Sequence, residues 1–312
     1  MLPDAHTEPS ARAAGGLGRI RRVEVVVNPN SGGVDAETPA RIEALLAEFG
    51  LDAHVTTLDP ESLEQGLQAA IDAAPDLLVT LAGDGTANRA ATLCGPDGPV
   101  LAPLPGGTMN LLPHALYGRR AWPEALTAAL SDGEVRMVSG GKVDGHPFHC
   151  AAILGTPALW APAREAVRNG DLAQAWRRAV FAFREAFARQ LHFRIGGGHG
   201  HRAVALGLIC PLVSRATTGD APLEAAVLDL QDATEVFRLG LYDIFSDWRH
   251  DPAVTVWPCV HGRAWARDPI PCLIDGEMVS LGRSAEITFR PRSFRALVPP
   301  PESEAQQPES EP

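Results

Sequence analysis

The chain of 312 residues lacks closely spaced cysteines. Its cysteines are scattered along the sequence as Cys94, Cys150, Cys210, Cys259 and Cys272. This spacing argues against both a disulfide framework and a zinc site. Two histidine-containing stretches, His146 to Cys150 and Gly196 to His201, also lack a second ligand pair at zinc spacing. We predict that both are solvated turns between strands.

The sequence also lacks an apolar run of membrane-spanning length and an N-terminal apolar targeting segment. We therefore expect a cytoplasmic protein, either free or peripheral at the inner face of the membrane. Positive charge is scarce as well, and the formal net charge is −11. Because phosphate backbones need clustered Lys and Arg, nucleic acid is not expected as a partner. A homodimer stays open.

Two familiar nucleotide motifs are absent. The chain has no Gly-x-x-x-x-Gly-Lys-Ser/Thr P-loop and no Gly-x-Gly-x-x-Gly fingerprint with an acidic residue placed for a ribose. What it does have is three glycine-containing loops that each follow an apolar stretch: Asn28 to Gly33, Gly83 to Thr86, and Pro105 to Asn110. Carboxyl ends of buried parallel strands are where open α/β sheets bind ligands. The three loops together predict a nucleotide site.

The residue types of these loops suit a polyphosphate. Glycines let backbone N–H groups approach phosphate, hydroxyl and amide groups bond its oxygens, and a carboxylate can organise Mg²⁺. Asp84 is predicted to hold the Mg²⁺ through phosphate or water. The predicted cradle comprises Asn28, Ser31, Gly32, Gly33, Gly83, Gly85, Thr86, Gly106, Gly107 and Thr108.

The same three loops resemble the diacylglycerol kinase catalytic-domain family, which includes bacterial lipid kinases and sphingosine kinases. The late segment Leu273 to Glu277 is similar to that family's C-terminal acidic motif. The resemblance spans roughly residues 20 to 299. It implies an ATP-dependent lipid kinase that uses Mg²⁺ and transfers the γ-phosphate to a lipid hydroxyl of a diacylglycerol-like or sphingoid-like acceptor.

The resemblance also implies roles for particular residues. It makes Asp275 and Glu277 the catalytic carboxylates, without separating their roles, and it makes Thr57 a nucleotide contact, with Thr56 an alternative. On an extended segment, Asp275 and Glu277 would point to one side. The competing interpretation of Asp275-Gly276 is a plain hairpin turn.

Two alternative functions stay open. A Gly-Asp-Gly-Thr loop is also similar to the NAD kinase pattern, which would make the protein a soluble kinase. Many family members carry a glutamate where this chain has Arg89, so a catalytically weak nucleotide- or lipid-binding protein is the other alternative.

The predicted fold class is α/β + β. Alternating apolar strands and helical stretches over residues 20–134 predict a doubly wound parallel sheet that binds nucleotide. Short strands of period two over residues 135–299 predict an antiparallel β domain, with strands including Pro147 to Leu154 and Ala203 to Ile209. The family resemblance implies that this domain is a β-sandwich that receives the lipid substrate. Residues 1–19 and the acidic residues 300–312 are predicted to be disordered tails.

A helical insertion is expected from about Pro157 to Gln190. It carries the basic concentration of the chain, with Arg164, Arg168, Arg177, Arg178, Arg184, Arg189 and Arg194. One interpretation is a face that makes transient contact with anionic lipid at a membrane surface. The alternative is a solvated arginine face whose apolar stripe packs on the sandwich.

Overall fold

The computed structural model describes residues 20–59, 61–155, 190–214, 221–228 and 254–300. Its helices within these ranges are α1 (Thr38–Glu48), α2 (Leu63–Asp72), α3 (Asp84–Cys94), α4 (Leu111–Tyr117) and α5 (Trp122–Asp132). The predicted helical insertion and both predicted tails lie almost wholly outside the described residues.

The strands divide between two sheets. The first sheet contains β1 (Arg22–Val27), β2 (Asp52–Thr57), β3 (Leu77–Ala82), β4 (Val100–Pro105), β5 (Glu134–Val143), β6 (His146–Phe148), β8 (Leu191–Ile195), β9 (His201–Ala203), β13 (His261–Trp265) and β16 (Ser284–Val298). The second contains β7 (Ala151–Gly155), β10 (Ala205–Ile209), β11 (Leu223–Leu228), β12 (Val254–Cys259), β14 (Ile270–Ile274) and β15 (Glu277–Leu281).

The first four strands form a parallel sheet in the order β2-β1-β3-β4. The chain moves from β1 to β2 in one direction and then returns past β1 to β3 and β4. With right-handed crossovers, α1 lies on one face while α2 and α3 lie on the other. Consistent with this, α1 contacts α5, and α3 contacts both α2 and α4. Every residue of β3 is buried, as expected for a central strand covered on both faces.

Antiparallel strands make up most of the rest, and a second core lies between the two sheets. Phe193 and Ile287 of the first sheet pack in it with Leu154 and Leu208 of the second. The predicted fold class is therefore confirmed: a parallel sheet with helices is followed by an antiparallel β-sandwich.

Strand β16 belongs to both parts of the molecule. Its first half pairs with β13, whereas Phe294 and the residues after it join the core of the parallel sheet. Ala296 also pairs with Leu101 of β4. The predicted domain limits at 134/135 and 299/300 stay predictions, and this strand links the two parts covalently and by packing.

Two predicted strands are wrong in their extent. Residues Pro147 to Leu154 do not form one strand, because the backbone leaves the first sheet after Phe148 and enters the second at Ala151. The intervening N–H groups bond a carboxylate instead of a neighbouring strand. Ala203 to Ile209 likewise divides between β9 of the first sheet and β10 of the second.

Candidate active site

Four loops meet at one edge of the parallel sheet. Val27, the last residue of β1, lies opposite Thr57 of β2 and Leu81 of β3, and Leu81 lies opposite Leu104 of β4. The loops after these strands therefore begin at the same level. A crevice lies at this edge beside β1, where the order in which the strands are added to the sheet reverses. This position is the topological switch point of the sheet. The structure thus brings the three predicted glycine-containing loops and Thr57 to one edge.

Backbone bonds tie the first loop to the third loop and to the end of β3. The Gly33 N–H donates to the Gly106 carbonyl at 2.9 Å, and the Asn28 N–H donates to the Leu81 carbonyl at 3.1 Å. The loops therefore form one connected surface rather than three independent turns.

Asn110 organises the third loop. Its backbone is left-handed, with φ of 51°, a region in which asparagine is favoured among non-glycine residues. Its side-chain oxygen accepts the Gly107 N–H at 2.7 Å, and its amide donates to the Gly107 carbonyl at 2.9 Å. This buried asparagine closes the loop on itself just before α4 begins.

The loop glycines serve different purposes. A Cβ at Gly106 would lie 2.7 Å from the backbone nitrogen of Ala82, and a Cβ at Gly107 would lie 2.7 Å from the Cα of Gly83. Those two positions are glycine because two backbones touch. By contrast, a Cβ at Gly32 or Gly83 would meet nothing within 4 Å, so open space lies beside these two backbones. Gly32 and Gly83 are thus the glycines that leave room for a ligand.

The predicted polar contacts differ in exposure. Thr57 and Thr108 are exposed and Ser31 is half-buried, whereas Thr86 is buried in the first turn of α3. The Asn28 side-chain oxygen is engaged by the Asn30 N–H at 3.0 Å.

Asp84 begins α3 and faces the start of α4. Its carboxylate accepts the Leu112 N–H at 3.4 Å, so the side chain links the second loop to the third. Partial burial raises its pKa, and the N–H groups at the start of α4 oppose that shift. A carboxylate in this position can receive a cation that also meets phosphate oxygens. Among the described residues, no group of three or more His, Cys, Asp or Glu side chains could hold a metal ion by itself.

The second acidic element approaches this edge from the sandwich. Asp275 and Gly276 form the turn between β14 and β15, and their φ values of 45° and 92° are those of a tight hairpin turn. The expectation of an extended segment is therefore wrong. The hairpin interpretation and the site interpretation do not exclude each other, because the hairpin carries both Asp275 and Glu277 to the crevice.

Asp275 is buried and held by three backbone donors. Its Oδ2 accepts the His149 N–H at 2.7 Å, and its Oδ1 accepts those of Cys150 and Ala151 at 2.9 and 2.8 Å. These are the N–H groups released where the chain crosses between the sheets. Since each carboxylate oxygen has two lone pairs, Oδ1 is fully engaged and Oδ2 keeps one acceptor position.

Burial raises the pKa of Asp275 to about 6. The three N–H donors favour the ionised form and oppose this shift, while the nearby charge of Asp84 adds to it. The result is a carboxylate that titrates close to neutral pH, which suits a general base.

Glu277 faces the second loop across the crevice. A Cβ at Gly85 would lie 2.5 Å from the Glu277 Oε1, so this exposed carboxylate lies against the first turn of α3. The acidic hairpin and the glycine-containing loops are thus brought together, although Gly85 and Glu277 are 192 positions apart in the sequence.

Sequence reasoning missed His149. Its Nδ1 lies 3.3 Å from the Asn88 Oδ1 on α3, and its Nε2 lies 3.0 Å from the Ser293 Oγ on β16. The ring also meets Phe294 edge-on, with centroids 5.1 Å apart. Burial lowers the pKa of His149 to about 4, so the ring is neutral. The prediction of a solvated turn was wrong here, and no spacing signal in the sequence marks this contact.

Arg89, the unusual residue after the second loop, points away from this chemistry. Its guanidinium forms an ion pair with Glu64 of α2, and both side chains are about half exposed. The substitution therefore joins two neighbouring helices on the surface.

The fold and the site define a class of protein. An α/β part and a β-sandwich part face each other, and the three glycine-containing loops of the first lie opposite the acidic hairpin of the second. Residues 22–143 match the family described as the diacylglycerol kinase catalytic domain. No curated protein sequence matches the chain significantly.

Solved structures agree with the fold. A diacylglycerol kinase from Bacillus anthracis str. Sterne superposes with a TM-score of 0.68 at 17% identity, covering 90% of this chain and 98% of that one. Two further structures from the same strain, described under the same enzyme name, give the same TM-score and coverage at 18% and 19% identity. At these identities the likeness establishes the fold. The family match covers residues 22–143, and the likeness of fold extends over 90% of the chain.

Within the described ranges, no helix has the length and apolarity needed to cross a bilayer. The predicted arginine face of the insertion lies outside those ranges, except for Arg194 on β8.

Proposed function

We propose that this protein is an ATP-dependent lipid kinase that transfers the γ-phosphate to a lipid hydroxyl. The observation that carries the proposal is the position of Glu277 against Gly85, because it joins the acidic hairpin to the phosphate-type loops in one crevice. Phosphoryl transfer needs both: a cradle for the phosphates, and a carboxylate to orient or deprotonate the acceptor alcohol.

The cradle for ATP consists of the first three loops, with the open positions at Gly32 and Gly83 closest to the phosphates. Ser31 and the exposed Thr108 and Thr57 supply hydroxyl contacts. Asp84 would hold Mg²⁺ through phosphate or water. When bound, this cation spreads the negative charge that develops on the transferred phosphoryl group.

The two hairpin carboxylates have separate roles in this proposal. Asp275 is the base, since its pKa of about 6 lies near neutrality and its Oδ2 keeps one acceptor position for the lipid hydroxyl. Glu277 meets the phosphate and metal end of the crevice, since it lies beside Gly85. A bare carboxylate would repel phosphate there, so Glu277 would act together with Asp84 in holding the cation.

His149 positions these groups rather than reacting. Its N–H holds Asp275, while its neutral ring bonds α3 through Asn88 and β16 through Ser293. The helix that begins at the phosphate loop and the carboxylate of the hairpin are thus attached to the same residue.

The test is phosphorylation of a native lipid extract with radiolabelled ATP, followed by identification of the labelled product. A parallel reaction with NAD as acceptor separates lipid kinase from NAD kinase. The Asp275→Asn variant is the matched control, because it keeps the fold while removing the base. A labelled lipid that is absent with the variant supports the proposal. Labelled NAD phosphate, or ATP binding with no product, supports one of the alternatives.

Partners and location follow from the same proposal. The lipid acceptor requires transient contact with a membrane surface, and the protein would act as a cytoplasmic enzyme that is peripheral at the inner face. A homodimer is compatible with this function but is not needed for it, since one chain supplies both sides of the crevice.

A further inference from the structure

An outward-facing arginine pair lies on the first sheet of the sandwich. Arg194 of β8 is directly opposite Arg263 of β13, and both side chains are exposed. Like charges directly opposite each other destabilise a sheet. Within the described residues no carboxylate forms an ion pair with either guanidinium, and Arg263 donates to the Ser284 Oγ at 2.9 Å. The pair therefore has no counterion among the residues that the structure describes.

Further basic and aromatic side chains lie on the same face. In the neighbouring row, Trp265 is opposite His192, with ring centroids 5.8 Å apart and planes 16° from parallel, and His192 is opposite Arg202. Lys142 of β5 shares this face through its pairing with β16. Glu286 lies opposite Arg263 on β16 but outside ion-pair distance. We define the basic strip as Lys142, His192, Arg194, Arg202, Arg263 and Trp265.

The centre of the basic strip is concave. Arg194, Arg263 and Trp265 line a hollow of about 420 Å³. Planar guanidinium groups bond phosphate oxygens in pairs, and a tryptophan favours the headgroup level of a bilayer, where one side of the ring is apolar and the other wet. The composition of the hollow is therefore suited to phosphate groups on a lipid surface.

The negative charge of the whole chain favours this face for contact with an anionic surface. With a net charge of −11, most of the protein is repelled by an anionic surface, so approach is favourable only where bases are concentrated. The strand that carries Arg194 also follows closely on residues 164–189, whose sequence contains six further arginines. Basic sequence and basic surface thus adjoin at the start of β8.

We propose that the basic strip is the surface by which this protein docks on an anionic lipid bilayer, with lipid phosphates bound between Arg194 and Arg263 and the Trp265 indole at headgroup depth. This proposal rests on the proposed lipid kinase function, since that activity requires the protein to reach its acceptor in a bilayer. It goes further by naming the surface and the sign of the lipid charge.

The test measures co-sedimentation with phosphatidylcholine vesicles, with and without phosphatidylglycerol. We expect binding only to the anionic vesicles, with an affinity that fades as salt screens the charges. The variant Arg194→Gln/Arg263→Gln should bind about 30-fold more weakly, since each base near a charged membrane contributes roughly five- to sixfold. The matched control is Arg21→Gln/Arg119→Gln, which removes the same charge from exposed positions around the parallel sheet and should bind as the wild type does.

Each other outcome overturns the proposal. Equal weakening in both double variants would mean that net charge alone matters. Wild-type binding by Arg194→Gln/Arg263→Gln would mean that another surface docks, or that residues 156–189 cover the strip. Preference for a DNA duplex over anionic vesicles would assign the strip to nucleic acid.

A second readout separates this proposal from the proposed function. Turnover of a lipid acceptor dispersed in detergent micelles should be unchanged in Arg194→Gln/Arg263→Gln, because the strip does not belong to the crevice. Vesicle docking without lipid phosphorylation by the wild type would refute the kinase function and leave the docking surface intact. Activity on micelles without docking on vesicles would refute the docking surface and leave the kinase function intact.

Discussion

Replacing Asp275 with asparagine tests the assigned base most directly, because stability and activity should respond in different ways. Ionised Asp275 is costly to bury: its pKa rises from 3.8 to about 6 on folding. At about 1.4 kcal/mol for each pKa unit, burial of the charged form at neutral pH costs about 3 kcal/mol of folding free energy. Asparagine avoids that cost and keeps one acceptor oxygen for the Cys150 and Ala151 N–H groups.

The separate loss in Asp275→Asn is the acceptor for the His149 N–H, because the amide nitrogen cannot accept it, and a buried unsatisfied donor costs roughly 1–3 kcal/mol. The two effects are similar in size and opposite in sign, so near pH 7 the variant should be about as stable as the wild type. Orienting or deprotonating the acceptor contributes ~10²–10⁴-fold, and turnover should fall by that factor. ATP affinity should change little, since the cradle lies on the parallel sheet.

The raised pKa of Asp275 also predicts how the free energy of unfolding changes with pH. A folded pKa above the unfolded value stabilises the protein fully below pH 3.8, and this contribution is lost as pH rises to about 6. Relative to Asp275→Asn, the wild type should therefore lose about 3 kcal/mol of stability across that window and then level off. Wild-type turnover should also fall below about pH 6 as the base is protonated.

Urea unfolding of both proteins at several pH values, together with steady-state kinetics, measures these quantities. A stability difference that does not vary with pH would refute the buried titration. Full activity in the variant would refute the base, and Asp84 would be the next residue to test.

Three further predictions concern the other side of the crevice. Asp84→Asn should lower turnover by orders of magnitude with an unchanged melting temperature, and near-normal steady-state rates would remove the metal and phosphate role. Gly107→Ala should lower the melting temperature, because the new Cβ would lie 2.7 Å from the Gly83 Cα. Gly83→Ala should instead weaken ATP binding in calorimetry without loss of stability. Equal behaviour of the two glycine variants would contradict this division. His149→Asn and Asn88→Ala should each lower kcat about tenfold at constant KM for ATP, and their combination should cost no more than either alone; additive losses in a double-mutant cycle would show that the two side chains act separately.

The loops were predictable because their signal is local. Apolar strands followed by glycine and polar residues mark the carboxyl end of a parallel strand, and all such ends meet at one edge. The hairpin at Asp275-Gly276 was equally local, since Asp-Gly favours the left-handed backbone that a tight turn requires. Period-two patterns identified the sandwich.

The reasons for individual residues were not predictable in the same way. Gly106 was expected to admit a ligand, yet it is glycine because Ala82 touches it. The break at His149 is invisible in a run of strand-forming residues, since it depends on a carboxylate 126 residues away that collects the freed N–H groups. The pairing of Arg194 with Arg263 depends on strand register, which the sequence does not state.

The sequence by itself determined which strands are buried on both faces, where the glycine-containing loops lie, and that an acidic turn lies in the C-terminal part of the chain. Those features depend on residues close together in sequence, through side-chain period and backbone preference. Only the tertiary structure decided that Glu277 lies against Gly85, that Asp275 is buried with a raised pKa, and that His149 joins α3 to the hairpin. Burial, close approach and cross-strand register arise from packing between distant segments, so they are set only when both sheets have assembled.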